Sequence, residues 1–267
     1  MKKIKLAIVG CLGRMGKEVI KEVNNFPNCK IVSAIEAKKT TTRKIGKIEI
    51  SYNKKIAFSK ADIIIDFSTP KSSLESAFYA SKFKKKLIIG TTGLNNSQIK
   101  KIKQASKKIS IVFAPNMSIG INLLLLLAEQ ASKIFFSDSS AEILDIHHKY
   151  KKDAPSGTAL ALGDAIARGQ NKLLKKISNI KANKSRKKQL NRINFYCERK
   201  GNIIGEHSTI FTNSKEQIEL KHKGFNRSIY AAGAIKAALW LSNKKKGFFN
   251  MFNVLGIGWF VNNIYSK

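Results

Sequence analysis

The chain has 267 residues, 43% of them hydrophobic and 25% charged, enough to bury the core of one large domain or two modest ones. Its formal charge of +33 comes from forty-three lysines and seven arginines against seventeen acids, which brings nucleic acid into consideration. Three cysteines, Cys11, Cys29 and Cys197, are too few and too scattered for a disulfide framework or a zinc site, so a reducing cytoplasm fits and no metal is expected.

Residues 4–9 read as an apolar strand. The stretch after the opening Met-Lys-Lys is only a strand's length, too short for a signal peptide, and it runs into Gly10-Cys11-Leu12-Gly13-Arg14-Met15-Gly16. A helix near 13–25 follows, with Val19, Ile20 and Val23 on one face. Strand, glycine turn and helix in this order form a dinucleotide-binding unit: Gly10 permits the tight turn, Gly13 lets backbone amides approach a pyrophosphate, and Gly16 lets the helix pack closely on the strand. The next strand, 30–35, ends at Glu36, twenty residues after Gly16, where a carboxylate can accept hydrogen bonds from an adenosine ribose. The G-x-x-G-x-x-G spacing is a variant of the usual fingerprint and weak alone; the flanking strand, helix and acid give it force. A bare βα turn and an ordinary surface acid are the plainer alternatives. Cys11 is expected to be packed rather than reactive.

Strands at 62–67, 87–90 and 109–114 then alternate with helices near 70–83 and 96–108, which defines an α/β fold with a Rossmann-type doubly wound parallel sheet. Three strand ends carry turns suited to a ligand: Asp66-Phe67-Ser68-Thr69-Pro70, Gly90-Thr91-Thr92-Gly93 and Ala114-Pro115-Asn116-Met117-Ser118. Each also works as a helix cap, Thr69-Pro70 and Ser118 most readily. The greasiest run, Ile121 to Ala128, holds five successive leucines; it is too short to span a bilayer and fits a buried helix joining two domains. The boundaries that follow are a dinucleotide-binding domain over 1–118, to which 229–267 returns, and a mixed α/β domain for substrate binding and oligomerisation over 119–228.

In that second domain the strands fall at 140–148, 191–198, 203–213 and 214–221, with a helix at 228–242 after them and a basic, Asn- and Lys-rich connection over 172–190 left without assigned structure. Its most informative stretch is 142–159. Glu142-Ile-Leu-Asp-Ile146 reads as a buried strand, so His147 and His148 emerge at its carboxyl end. Lys151 stands four residues after His147, within reach for an imidazole and an ammonium to converge on one small molecule. The turn Pro155-Ser156-Gly157-Thr158 opens a helix whose first amides, at Ser156, Gly157 and Thr158, are free to hold an anion. Together they describe a pocket for a carboxylate substrate. A solvated basic loop before a Ser-capped helix is the plainer reading, and paired histidines alone would favour it.

The lysines elsewhere, including Lys84–Lys86 and Lys244–Lys246, are not interleaved with aromatic residues and match no nucleic-acid motif, so they read as a solvated surface with nonspecific attraction to polyanions at low salt.

Taken together, VGCLGRMG at 9–16, DFSTP at 66–70, GTTG at 90–93, APNMSIGIN at 114–122, the 142–159 segment, GEH at 205–207 and AAGAIKAALWL at 231–241 resemble the 4-hydroxy-tetrahydrodipicolinate (dihydrodipicolinate) reductase family of diaminopimelate and lysine synthesis, over almost the whole chain. The resemblance implies an oxidoreductase using NADH or NADPH, a small dicarboxylate substrate and a homotetramer assembled through the second domain. It implies no specific nucleic acid and no membrane. It places catalysis on His147 and Lys151 and substrate contacts on His148, Gly157 and Thr158, with Ser156 supporting the anion-binding turn. Cofactor contacts fall on Gly10, Cys11, Leu12, Gly13, Arg14, Met15, Glu36, Gly90, Thr91, Thr92, Ala114, Pro115, Asn116 and Met117. Where some members carry Arg after the ribose-binding acid, this chain has Ala37 and then Lys38 and Lys39; Asp145 replaces the more common Glu, the 40–58 region is short, and the tail beyond Leu255 is long. Another Rossmann reductase of amino-acid metabolism would share the first domain without the His-His-x-x-Lys and Ser-Gly-Thr arrangement. A basic nucleic-acid-binding protein is the non-enzyme alternative, supported by charge alone.

Overall fold

The computed structural model describes residues 2–37, 40–135, 139–180 and 191–257. Expectations placed on Lys38 and Lys39, on 181–190 of the basic connection and on the tail beyond 257 lie outside the described residues. The chain runs β1 (Ile4–Val9), α1 (Arg14–Glu22), β2 (Cys29–Ile35), β3 (Lys44–Ile45), β4 (Ile48–Ser51), α2 (Lys54–Ser59), β5 (Ile63–Asp66), α3 (Pro70–Lys82), β6 (Lys86–Ile89), α4 (Asn96–Ala105), β7 (Ser110–Phe113) and α5 (Ile119–Phe135). It continues with β8 (Ser140–His147), α6 (Gly157–Gly169), α7 (Leu174–Ile177), β9 (Ser178–Asn179), β10 (Ile193–Arg199), β11 (Gly205–Thr212), β12 (Gln217–Gly224), α8 (Ser228–Leu241), β13 (Gly247–Phe249) and α9 (Met251–Val254). Two compact units result, one built from Met1–Ile119 and the stretch from Arg227 onward, the other from Gly120–Asn226.

The first unit is an eight-stranded sheet in the order β13-β7-β6-β5-β1-β2-β4-β3, parallel except for the β3–β4 pair. Its central strands are apolar on both faces because helices cover both. On one side Leu6, Ile8, Ile63, Ile65, Ile88 and Val112 pack with Val19 of α1 and Ala231, Ala234, Ile235 and Ala238 of α8. On the other, Ala7, Val9, Ile64, Leu87, Ile89 and Ile111 pack with Phe58 of α2, Ala77 and Ala80 of α3 and Ile102 of α4. The small residues of α8 serve close approach: a Cβ at Gly233 would lie 1.8 Å from the Met117 carbonyl oxygen. Helix starts follow local chemistry. Thr69 accepts from the Ser72 amide with Pro70 in the first turn of α3, and Asn95 and Gln98 form a reciprocal capping box on α4.

The second unit is a five-stranded sheet, β12-β11-β8-β10-β9, with β8, β9 and β10 parallel and β11 antiparallel to both neighbours. One face, through Ala141, Ile143, Ile193, Phe195 and Phe211, packs against Leu124 and Ala128 of α5 and Leu162 and Ile166 of α6. Alternation along β8 sends Ala141, Ile143, Asp145 and His147 to that face, while Glu142, Leu144 and Ile146 point the other way and are half-buried.

Several expectations need correction. Between the expected strands at 30–35 and 62–67, where the sequence pattern marks no element, β4 joins β2 in the sheet and Asn53 caps α2 by accepting from the Lys55 and Ile56 amides. Four-residue strands with two polar positions carry too little periodicity to stand out. The 172–190 stretch contains α7 and β9, held because Ile177 and Leu174 reach the core of the second unit and β9 pairs with β10. The five-leucine run is not buried all round: Leu124 and Leu126 are buried, whereas Leu123 and Leu127 are 45% and 43% exposed, since successive leucines on a helix point in every direction. No helix among the described residues is long and apolar enough to cross a membrane.

Candidate active site

At the glycine turn, Gly10 has φ +78°, and a Cβ there would sit 2.5 Å from the Phe67 carbonyl oxygen. A Cβ at Gly16 would be 2.1 Å from the Gly10 carbonyl oxygen, so the helix and the turn meet backbone to backbone. The Gly10 and Cys11 amides are spent on the Ile35 carbonyl at 2.9 and 3.2 Å, which anchors the turn to β2. Glu36, one residue further, accepts from the Leu12 amide at 3.2 Å and from Ala37 N–H at 3.1 Å. Gly13 precedes α1 in extended conformation and no side chain caps the helix, leaving its first amides to an external anion. Gly13, Arg14 and Met15 thus stand at an uncapped helix start, the arrangement that the sequence predicts for a pyrophosphate. Cys11 is fully buried, and burial pushes its thiol up to about 11, consistent with a packed residue.

The other expected cofactor residues divide. Thr91 is buried, and its hydroxyl accepts from the Ser68 amide at 3.0 Å and lies 3.2 Å from Asp66 Oδ1, so it ties two strand ends together. Gly90 is required by packing, because a Cβ would lie 2.1 Å from the Phe67 ring. Thr92 and Pro115 are exposed, Asn116 accepts from the Ser118 amide at 2.9 Å, and Ala114 and Met117 are buried in the core of the sheet. Asp66 itself is fully buried, and that burial raises its carboxyl above the ordinary range despite hydrogen bonds from hydroxyls.

In the second unit the strand register builds a cluster that contiguous sequence does not reveal. On β8, Asp145 and His147 share a face; β10 sets Cys197 beside Asp145 and Arg199 beside His147, and β11 sets His207 opposite Asp145. The buried carboxylate of Asp145 accepts from the Ser156 amide at 2.8 Å, the Ser156 hydroxyl at 2.7 Å and Arg199 Nη2 at 3.0 Å. His147 Nδ1 and His207 Nε2 lie 3.1 and 3.3 Å from its Oδ1, the former contact close but off the line of the ring N–H. Burial alone would raise Asp145, but the close approach of His147 and His207 and the hydrogen bonds from Ser156 outweigh it and hold the carboxyl far below the usual range. Burial drives His207 the opposite way, lowering it and keeping the imidazole neutral, with Asp145 opposing in part. The two histidine rings meet edge to face at 5.0 Å. Gly205 gives the His147 ring its room, since a Cβ there would be 3.0 Å from Nε2.

The loop after β8 is tied back to this cluster. Arg199 donates to the Asp153 carbonyl at 2.6 Å as well as to the Asp145 carbonyl at 2.9 Å, and the His148 amide bonds the Ile203 carbonyl at 2.7 Å. Lys151 holds Asp153 through both carboxylate oxygens at 2.7 and 2.8 Å, and although burial works against it, that pairing lowers the Asp153 carboxyl. One expectation fails here: the Ser156 amide is not open to an anion, because Asp145 already takes it. Ser156 acts as the cap, its hydroxyl accepting from the Ala159 amide at 3.1 Å while donating to Asp145. Space remains at the next residue, where a Cβ on Gly157 would meet nothing within 4 Å. Asp145, His147 and His207 stand close enough to hold a metal ion, but the Arg199 guanidinium already balances the carboxylate.

Sequence reasoning missed Arg199 and His207 and treated Asp145 only as a departure. The signal available was weak, a GEH triplet and one Arg among many basic residues, and pairing between strands alone makes it meaningful.

A doubly wound sheet with a glycine turn and an acid at the end of its second strand, together with a second unit that sets imidazoles beside a helix start, points to the class of dinucleotide-dependent oxidoreductases. Within that class the chain belongs to the dihydrodipicolinate reductase family: residues 4–117 match the family described as "Dihydrodipicolinate reductase, N-terminus" and residues 120–255 the one described as "Dihydrodipicolinate reductase, C-terminus". It is 46% identical over 256 residues to the 4-hydroxy-tetrahydrodipicolinate reductase of Pelagibacter ubique (strain HTCC1062), covering 96% of this chain and 99% of that protein. It is 43% identical to the enzyme of the same name from Buchnera aphidicola subsp. Cinara cedri, covering 95% and 97%. The dipicolinate-bound dihydrodipicolinate reductase of Paenisporosarcina sp. TG-14 shares the fold, with a TM-score of 0.78 over 94% of this chain and 98% of that one at 24% identity.

Proposed function

We infer that this protein reduces 4-hydroxy-tetrahydrodipicolinate to tetrahydrodipicolinate with NADH or NADPH, in the synthesis of diaminopimelate and lysine. The observation that carries the reading is the end of β8: an imidazole, an ammonium and a helix start with open space at Gly157, the donor set that a small dianion needs. The substrate is a cyclic imine bearing two carboxylates; loss of its hydroxyl as water gives a conjugated imine, which takes up a hydride at carbon and a proton. The bound dinucleotide supplies the hydride.

The chain's own residues supply position and charge. Gly157 and Thr158 amides hold one carboxylate and His148 the other, with Ser156 fixing the turn from beneath. Lys151, released from Asp153 as the substrate carboxylates arrive, donates the proton or supports His147 in doing so. Gly10, Cys11, Leu12, Gly13, Arg14 and Met15 would hold the pyrophosphate, Glu36 the ribose, and Gly90, Thr91, Thr92, Ala114, Pro115, Asn116 and Met117 the rest of the cofactor. Thr91 and Met117 contribute backbone rather than side chain, since both side chains are buried. The three free thiols fit a cytoplasmic enzyme. Half-buried Leu144, Ile146 and Tyr196, on the sheet face opposite α5 and α6, support assembly into a homotetramer through the second unit.

The test is oxidation of NADH or NADPH in the presence of enzymatically generated 4-hydroxy-tetrahydrodipicolinate. Consumption that requires the substrate supports the reading, and its absence with both cofactors overturns it. Substitution His148→Ala should act mainly through KM, as expected for a contact already made in the ground state.

A further inference from the structure

Asp145 lies two residues before His147, on the same face of β8, and is fully buried. Its carboxylate meets groups from four separate stretches: His147 on β8, Ser156 at the start of α6, Arg199 on β10 and His207 on β11. The proposed chemistry gives this carboxylate no direct contact with substrate. Stability alone is a poor account of it, because an apolar cluster of the same volume often does as well or better than a buried ion pair. What the contacts do accomplish is to join two parts that the reaction needs in fixed relation, the His147 ring and the first turn of α6. Arg199 completes the connection by bridging the carboxylate to the Asp153 carbonyl in the loop that carries Lys151.

We propose that Asp145 is a positioning residue of the reductase reaction, holding the His147 ring through Nδ1 and the anion-binding start of α6 through Ser156 in a single geometry. This rests on the reading of the protein as a reductase with His147 in the proton path. The groups that face the carboxylate are Arg199 and Cys197 from β10, His207 from β11, His147 from β8 and Ser156 from α6, with the charge of Lys151 acting across the cluster. In this arrangement Nδ1, 3.1 Å from Asp145 Oδ1, is the site at which the neutral His147 ring would carry its proton, leaving Nε2 bare.

The experiment compares the parent with Asp145→Asn and Asp145→Glu. In the amide variant kcat should fall by about 10- to 100-fold, while NADH affinity, a property of the glycine turn, and cooperative unfolding are retained. Dipicolinate, used as a dianion probe in calorimetry, should bind several-fold more weakly. The basic limb of the kcat/KM profile, where the proton donor is lost, should move to lower pH, because a carboxylate favours positive charge on the facing imidazoles and an amide does not. The Glu variant keeps the charge and should recover most of the loss. A kcat within about threefold of the parent with an unmoved limb in Asp145→Asn would overturn the proposal. If that variant does not fold, nitrogen NMR of the histidine-labelled parent decides, since the chain has only 4 histidines to assign. A neutral His147 protonated on Nε2 rather than Nδ1 overturns the proposal. A parent with no activity on the substrate would instead sink the reductase reading, and the dipicolinate and tautomer measurements would still test the holding role of Asp145.

Discussion

Each unit places a fully buried aspartate at or near the carboxyl end of a central strand, Asp66 on β5 and Asp145 on β8, and their carboxyls are shifted in opposite directions. Asp66 is met by the hydroxyls of Ser68, Ser73 and Thr91 and by the Ser68 amide at 3.0 Å, and burial raises its carboxyl. Asp145 has comparable burial, but a guanidinium, two imidazoles and a backbone amide face it, and it stays ionised far below the ordinary range. Burial alone therefore does not decide whether a carboxylate is charged. Both accept from a backbone amide, and what sets Asp145 apart is the guanidinium and the imidazole delivered to it from neighbouring strands. A carboxyl ringed by hydroxyls staples loop ends, whereas one that faces a guanidinium and imidazoles can orient the rings.

The strongest way to break this contrast is to remove the cation. Replacing Arg199 with Met leaves a buried, ionised carboxylate with one fewer partner and should cost about 3–5 kcal/mol of unfolding free energy, read by urea denaturation. A loss under about 1 kcal/mol would mean that the imidazoles and Ser156 suffice and that the guanidinium is incidental. Next in size is Lys151→Met, which should lower kcat and kcat/KM together by about 10²-fold or more with NADH affinity unchanged, because it removes a transition-state interaction. Near-parental turnover in the folded variant would leave proton delivery to His147 and make Lys151 one more surface cation held by Asp153.

A smaller effect is expected at the first unit's ligand. Glu36→Ala should weaken NADH binding by about tenfold, the worth of a charge-assisted hydrogen bond, and weaken NADPH less, since the lost carboxylate would repel a 2′-phosphate. Equal NADH affinity in variant and parent would remove Glu36 from the ribose site. The smallest effect concerns Asp66. At about pH 4 Asp66→Asn should differ from the parent by under about 1 kcal/mol, since a carboxyl raised above its ordinary range is largely protonated there and an amide replaces it in kind. An acid whose folded pKa is raised binds its proton more tightly in the native state, so the parent loses stability as pH rises above the ordinary aspartate value near about 3.9. The variant should thus gain on the parent toward neutral pH. Asp145 has the reverse sign: its contribution is present above that value and declines as pH falls below it. A parent that gains on Asp66→Asn with rising pH would show that Asp66 is ionised after all.

Much of the first unit was legible because its determinants are local. Gly10, Gly13 and Gly16 sit within one strand-turn-helix, Glu36 follows at the end of the next strand, and caps such as Thr69-Pro70 are read within four residues. The elements over 44–59 escaped because short edge strands and a six-residue helix carry too few positions to show a period. In the second unit, His147, Lys151 and the Ser156 helix start stood out as a contiguous mixture of residue types. Their partners did not.

By itself the sequence determined the two-part α/β architecture, the glycine turn and the segment that bears the chemistry, because each is set by backbone freedom, capping and hydrophobic period over a few adjacent residues. Only the tertiary structure decided that Ser156 is bonded to Asp145 rather than open to an anion, and that Arg199 and His207 converge on that carboxylate. Strand register makes the second choice, since pairing β8 with β10 and β11 fixes which side chains share a face across more than fifty residues of chain, and a shift of one residue would have sent Arg199 and His207 to the other side of the sheet.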